Sequence, residues 1–288
     1  MNMKVWPSVV AHIAEEVVVE PFAARCDMPD SWIAGAVILV TALTARDVSA
    51  QRAAPAAAGW KTAWSYDGAL GPDHWGSLDP DYAACNAGRE QSPIDIANTV
   101  KADLPAIHFT YKSGPVRLIN NGFTAVRVNY PPGNGNFLIV GDTRYELTQF
   151  HFHHPSEEYV RGAPAAMAAH FMHASSDGKI AGVTVLLRAG KSNGTVQRLW
   201  GHMPQTPGLE REVAGMQIDP GGLLPRELGY YTYAGSQTAP PCTEGVTWFV
   251  LKTPVEISAA EIKAFAKLYP HDVRPTQPLN GRVVKESP

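Results

Sequence analysis

The sequence predicts a mainly β fold in one large domain, on three observations. Short stretches in which apolar and polar side chains alternate recur through its middle, the pattern of strands with one buried face. Turn-forming clusters punctuate them, in a chain holding 25 Gly and 24 Pro among 288 residues. Helical periodicity is scarce.

In order, the predicted strands are Ala106–Tyr111, Val116–Asn120, Ala125–Asn129, Asn136–Val140, Tyr145–His153, Ala165–His173, Ile180–Arg188 and Val246–Leu251. Pro131-Pro132-Gly133-Asn134-Gly135, Asp177-Gly178 and Ser192-Asn193-Gly194 are the turn signals, because Gly and Asn tolerate the backbone angles that reverse a chain. One helix is predicted after Ser258, which forms a capping box with Glu261; Ile262, Phe265, Ala266 and Leu268 then share a face. Residues 60–288 read as a single domain of even composition behind a short Ala-rich tether at 51–59.

Residues 1–50 differ. The apolar stretch Trp32–Leu43, followed by the small residues of Val48-Ser49-Ala50, has the form of a cleaved export signal. An acidic segment precedes it, which a start at Met28 would explain; a buried helix or retained anchor is the alternative. Cleavage after Ala50 removes Cys26 and leaves Cys85 and Cys242, a pair that an oxidising compartment could join. The expectation is a periplasmic or secreted protein with no stable membrane span after cleavage. A hydrophobic fraction of 45%, a charged fraction of 18% and a net charge of −3 describe a globular chain with no electrostatic reason to bind nucleic acid or a membrane surface.

Three histidines carry the chemistry. His151 and His153 are two apart in a predicted strand, so both imidazoles project from one face, roughly 7 Å apart. His170 lies in the next predicted strand, across the polar, turn-prone stretch Pro155–Gly162. Three neutral nitrogen donors with an open fourth position make a catalytic zinc site. Five of the ten histidines fall between 151 and 173, so bystanders are expected; His154 and His173 have the wrong parity. The spacing His151-x-His153-x3-Glu157 also fits a cupin site, with Glu157 as fourth ligand to iron or manganese. Imidazole suits several metals, and spacing alone leaves both readings open.

Further motifs stand along the chain: Trp64-Ser65-Tyr66, Gly71-Pro72-Asp73-His74-Trp75, Gln91-Ser92-Pro93-Ile94-Asp95-Ile96, Asn120-Asn121-Gly122, Gln149–His153, Ser156-Glu157, Ala169–His173, Tyr233–Pro241, Glu244–Trp248 and Arg274–Arg282. In this order, from about Trp64 to Arg282, the chain resembles the α-class carbonic anhydrases of the bacterial, exported type. A cupin relationship explains only the first of the histidine segments. The resemblance implies a large twisted, mostly antiparallel central sheet with short peripheral helices. It implies reversible hydration of carbon dioxide to bicarbonate and a proton, with zinc on His151, His153 and His170; these enzymes are themselves the reference case of zinc-activated water.

By the same resemblance, Thr238 accepts a hydrogen bond from the activated water and donates its own to Glu157. Gln149, Glu244, Tyr66 and Asn121 are expected to support the ligands. Met172, Gly182, Gln237, Ala239, Val246 and Trp248 are expected around the substrate, and sulfonamides as inhibitors. Cys85 and Cys242 occupy the places of a family disulfide, and Ser92-Pro93 and Pro240-Pro241 those of cis peptide bonds.

Several positions depart from the family pattern. Phe123 stands where most active members carry the histidine that passes the proton to buffer, so slower turnover is expected, rising with imidazole-type buffers. Ala168 replaces a glutamate bonded to the third ligand, so weaker zinc binding is expected. Glu158 replaces a structural histidine, Asp272 an asparagine, Gln237 a leucine and Gly182 a valine, the last two in a pocket that is ordinarily apolar. These changes admit a second reading, a carbonic-anhydrase-like domain that binds metal or a partner with little hydratase activity.

Overall fold

The structure is a computed structural model that describes residues 62–122 and 126–288; the expectations for the N-terminal signal and tether, and for Phe123, lie outside those residues. All eight predicted strands are present, with shifted ends. Tyr145–His153 begins two residues earlier, at Thr143, and Ala165–His173 becomes Met167–Ser175. Among the described residues thirteen strands form one sheet. Along its main path the order is Arg211–Ile218, Gly114–Ile119, Arg127–Asn129, Thr143–His153, Met167–Ser175, Ile180–Ala189, Glu244–Leu251, Tyr230–Ser236, Val284–Glu286 and Thr99–Lys101. Pairing is antiparallel except where Ile180–Ala189 meets Glu244–Leu251 and Val255–Ile257, and where Val284–Glu286 meets Thr99–Lys101.

Among the described residues eight strands escaped the sequence reading; six are only two or three residues long, and the other two are Arg211–Ile218 and Tyr230–Ser236. Arg211–Ile218 is mostly exposed and its register shifts between Glu212 and Gln217, so it lacks a buried alternating face. Tyr230–Ser236 carries β-favouring tyrosines, but its burial does not alternate and Gly235 interrupts it. Ser192-Asn193-Gly194, expected as a turn, starts a helix instead: the Asn193 side chain accepts from the Thr195 and Val196 amides and caps Gly194–Trp200. The capping box at Ser258 forms, and opens the helix Ala259–Ala266.

The period of two places the site. Phe150 and Phe152 alternate with Gln149, His151 and His153, and are fully buried with Phe171 in the main core. A one-residue slip would exchange phenylalanines for imidazoles on each face. Each buried Phe contributes about 1.5–3 kcal/mol, so the core holds the histidine register. A second cluster, with Ile94, Tyr233, Val246 and Trp248, packs near the His170 side. Cys85 and Cys242 form a disulfide across 157 residues, which stabilises by roughly 4–5 kcal/mol if it acts through loop-closure entropy. Ser92-Pro93 and Pro240-Pro241 are cis, and so is His154-Pro155, which was not anticipated.

Candidate metal centre

His170 lies opposite His151 in the antiparallel register of Thr143–His153 and Met167–Ser175. The imidazole centroids are 4.9 Å apart for His151 and His153, 5.4 Å for His151 and His170, and 4.7 Å for His153 and His170. One nitrogen from each lies within 4.8 Å of the others.

The partners assign the tautomers. His151 Nδ1 lies 2.8 Å from Gln149 Oε1, and His153 Nδ1 lies 2.6 Å from the Asp272 carbonyl oxygen. His170 Nε2 lies 3.0 and 3.1 Å from the two Glu158 carboxylate oxygens. Each partner is an acceptor, so these three nitrogens carry the protons. The opposite nitrogens therefore carry lone pairs. His151 Nε2 and His153 Nε2 face one another at 3.0 Å, where two acceptors cannot bond. His170 Nδ1 is buried without a hydrogen-bond partner. Three converging lone pairs repel unless a cation lies between them, and an all-imidazole donor set suits zinc. The residues present fit the metal.

Burial pushes His151 well below its ordinary value and His153 down to about 3, with the neighbouring imidazoles adding to both shifts. Both are neutral, as a metal ligand must be. For His170 burial acts downward, but the Glu158 and Glu157 carboxylates together outweigh it and the net shift is upward. Burial pushes Glu158 up, but His170 and Thr184 outweigh it and the net shift is downward. The expectation that His170 lacks a brace is therefore corrected. Ala168 is fully buried and apolar, but a carboxylate reaches the imidazole from the loop.

Glu157 stands outside the nitrogen cluster. Its Oε1 accepts from the Arg274 amide at 2.8 Å, and its Oε2 lies 3.5 Å from His153 Nε2. Burial raises its carboxyl to about 7, against the downward pull of His170, the Arg274 amide and the Thr238 hydroxyl. Thr238 is close enough to exert that pull, although no hydrogen bond of normal geometry reaches Oε2.

The histidines open into a cleft of about 300 Å³. Tyr66, Asn121, Gln149, Met172, Gln237, Thr238, Ala239 and Trp248 line it, but Gly182 and Val246 do not. A Cβ on Gly182 would come 2.6 Å from Trp248 Cε3, so this glycine makes room for the indole rather than for substrate. Val246 is buried in the second cluster. Glu244 does not touch the ligands: it accepts from the Glu90 amide at 2.7 Å and Gln91 Nε2 at 3.0 Å. His154 turns to the Pro270 carbonyl, and His173 pairs with the Tyr111 hydroxyl at 2.6 Å.

Two residues of consequence were missed. Arg127 lies opposite His151 in register and lines the cleft, with Nε donating to Asn129 Oδ1 at 2.7 Å. Its alternation in the predicted strand was the available signal. Arg274, 2% exposed, donates to Gln91 Oε1, Ser92 O and Cys85 O at 2.7–2.8 Å while its amide holds Glu157. It ties the disulfide, the Gln91–Ile96 segment and the site together; it opens the motif Arg274–Arg282, but the motif does not reveal these contacts.

Three nitrogens on adjacent strands, open on one side to a cleft, are the architecture of a single-metal enzyme. The family model for eukaryotic-type carbonic anhydrases matches residues 70–288. The chain is 44% identical over 232 residues to a carbonic anhydrase of Neisseria gonorrhoeae, covering 80% of this chain and 90% of the relative. It is 42% identical to one of Nostoc sp., covering 78% and 86%. The solved α-carbonic anhydrase of Thermovibrio ammonificans, in complex with sulfanilamide, is similar at a TM-score of 0.75 and 41% identity, covering 78% of this chain and 100% of that one. The chain belongs to the α-class carbonic anhydrases, and is an enzyme of that class.

Proposed function

We propose that the protein hydrates carbon dioxide reversibly to bicarbonate and a proton, with zinc held by His151, His153 and His170. The observation that carries this is the convergence of three lone pairs in a cleft that Thr238 also lines, with Glu157 Oε2 3.5 Å from His153 Nε2. Zinc bound there supplies Lewis acidity that makes water a nucleophile at neutral pH. Gln149 and the Asp272 carbonyl hold two imidazoles in the ligating tautomer. The Thr238 hydroxyl accepts a hydrogen bond from the attacking water and donates toward Glu157, which aims an oxygen lone pair at the carbon of the substrate. Trp248 and Met172 give that space its apolar wall, and Gln237 and Arg127 its polar side.

The released proton must leave the cleft. Phe123 has no titratable group, so the proton passes to buffer more slowly than a histidine would allow. Export fits the Cys85–Cys242 disulfide and the signal-like segment before residue 51. Among the described residues no helix is long and apolar enough to cross a membrane.

Stopped-flow measurement of carbon dioxide hydration on zinc-loaded protein tests the reading. Hydration well above a His153→Ala variant, abolished by a sulfonamide such as acetazolamide, is expected. A rate equal to that of the variant would reject it.

A further inference from the structure

We propose that Glu158 is a positioning residue for the metal, and that it performs from a loop a task that strand position 168 cannot perform in this chain. This rests on the reading of His170 as a metal ligand.

Both Glu158 carboxylate oxygens lie within reach of His170 Nε2, at 3.0 and 3.1 Å. Thr184, opposite His170 in the strand register, donates its hydroxyl to Glu158 Oε1 at 2.7 Å. Glu158, His170 and Thr184 are each 0% exposed, so water does not compete for these contacts. The loop is anchored on both sides. Ser156 Oγ donates to the Glu158 carbonyl at 2.8 Å and accepts from the Ala165 amide at 2.8 Å, while the Tyr159 amide donates to the Ile94 carbonyl at 3.2 Å. Ala168, two residues before His170 on the same strand face, has no group that could take over the contact.

The consequence is chemical. An acceptor at Nε2 keeps the proton there, so the Nδ1 lone pair points at His151 and His153. A carboxylate acceptor also makes the imidazole a stronger donor, and such partners are typically worth a factor of about 10–100 in metal affinity. A burial-only role for Glu158 would affect folding and leave the metal indifferent.

The test compares zinc dissociation constants, by competition with dipicolinate, for the wild type, Glu158→Gln, Glu158→Ala and the double variant Glu158→Ala/Ala168→Glu. The visible absorption spectrum of each cobalt-substituted protein is recorded alongside. Glu158→Gln, which keeps volume and an acceptor but loses charge, is expected to bind zinc about tenfold more weakly, and Glu158→Ala about a hundredfold. The double variant should regain most of the affinity and the wild-type spectrum, because a carboxylate at 168 enters the volume vacated beside His170. Should Glu158→Ala fail to fold, Glu158→Gln and Thr184→Val, which removes only the hydroxyl held by Glu158, carry the comparison. Variants that bind zinc as tightly as wild type with an unchanged cobalt spectrum would overturn the inference, as would a double variant no better than Glu158→Ala. A wild type that binds no zinc at all would overturn the proposed function with it.

Discussion

The two strands that carry the imidazoles and the loops that orient them obey different rules. Thr143–His153 and Met167–Ser175 place three histidines by pleat and register alone, with buried phenylalanines behind them. The Asp272 carbonyl, the Glu158 carboxylate and Thr238 come from irregular segments, in the case of Asp272 119 residues away in sequence from the imidazole it holds. The strands decide which nitrogens can meet. The loops, together with Gln149 on the strand, decide which of them carry protons, and so whether the meeting makes a metal site.

If that division holds, changes on the strands and in the loops should separate by kind. The largest effect belongs to the strands: His170→Ala should lose zinc and with it nearly all hydration, measured by metal content and stopped flow. Stoichiometric zinc with substantial activity would break the comparison. Thr238→Val should keep its zinc and lose about a hundredfold in hydration rate, the lower range for a positioned proton-handling group. Loss of zinc in that variant would mean that Thr238 helps to build the site rather than only steering the water. Phe123→His should raise turnover by about tenfold or more at low buffer concentration, and scarcely at all in concentrated imidazole. Equal rates at low buffer would point to another proton carrier.

The smallest effect is on stability. Burial holds His173, outside the ligand set, at about 3 against an ordinary 6.5. Unfolded chain binds a proton there below 6.5, and the folded chain does not until about 3. Above pH 6.5 the site costs nothing; as pH falls from 6.5 toward 3 it should destabilise the fold by about 1.4 kcal/mol per pH unit. Denaturant unfolding of wild type and His173→Gln tests this. The difference in stability between them should shift against wild type as pH falls from 7 to 5, and a pH-independent difference would contradict it.

The same division explains what could be read in advance. Strands around His151 and His170 were legible because alternation reports burial, and the Ser258 capping box because it is local. Gln149 was legible, since it shares a strand face with His151. Glu158 was not: its neighbour in sequence, Glu157, matched a motif, while its partner His170 is twelve residues away and reached only when the loop folds back. Position 168 alone suggested a weakened site, because sequence shows a missing side chain but not another arriving from elsewhere. Gly182 misled for a related reason: the space it leaves is filled by Trp248, a contact set by the parallel pairing of two strands distant in the chain.

The central claim is that three acceptors fix the three tautomers: Gln149 on the strand, and the Asp272 carbonyl and the Glu158 carboxylate from the loops. Long-range ¹H–¹⁵N correlation NMR of the histidine side chains in zinc-loaded protein tests it most directly. The account predicts protonated Nδ1 in His151 and His153 and protonated Nε2 in His170, with the latter signal shifted in Glu158→Gln. A proton on Nε2 of His151 or His153, or on Nδ1 of His170, would contradict it.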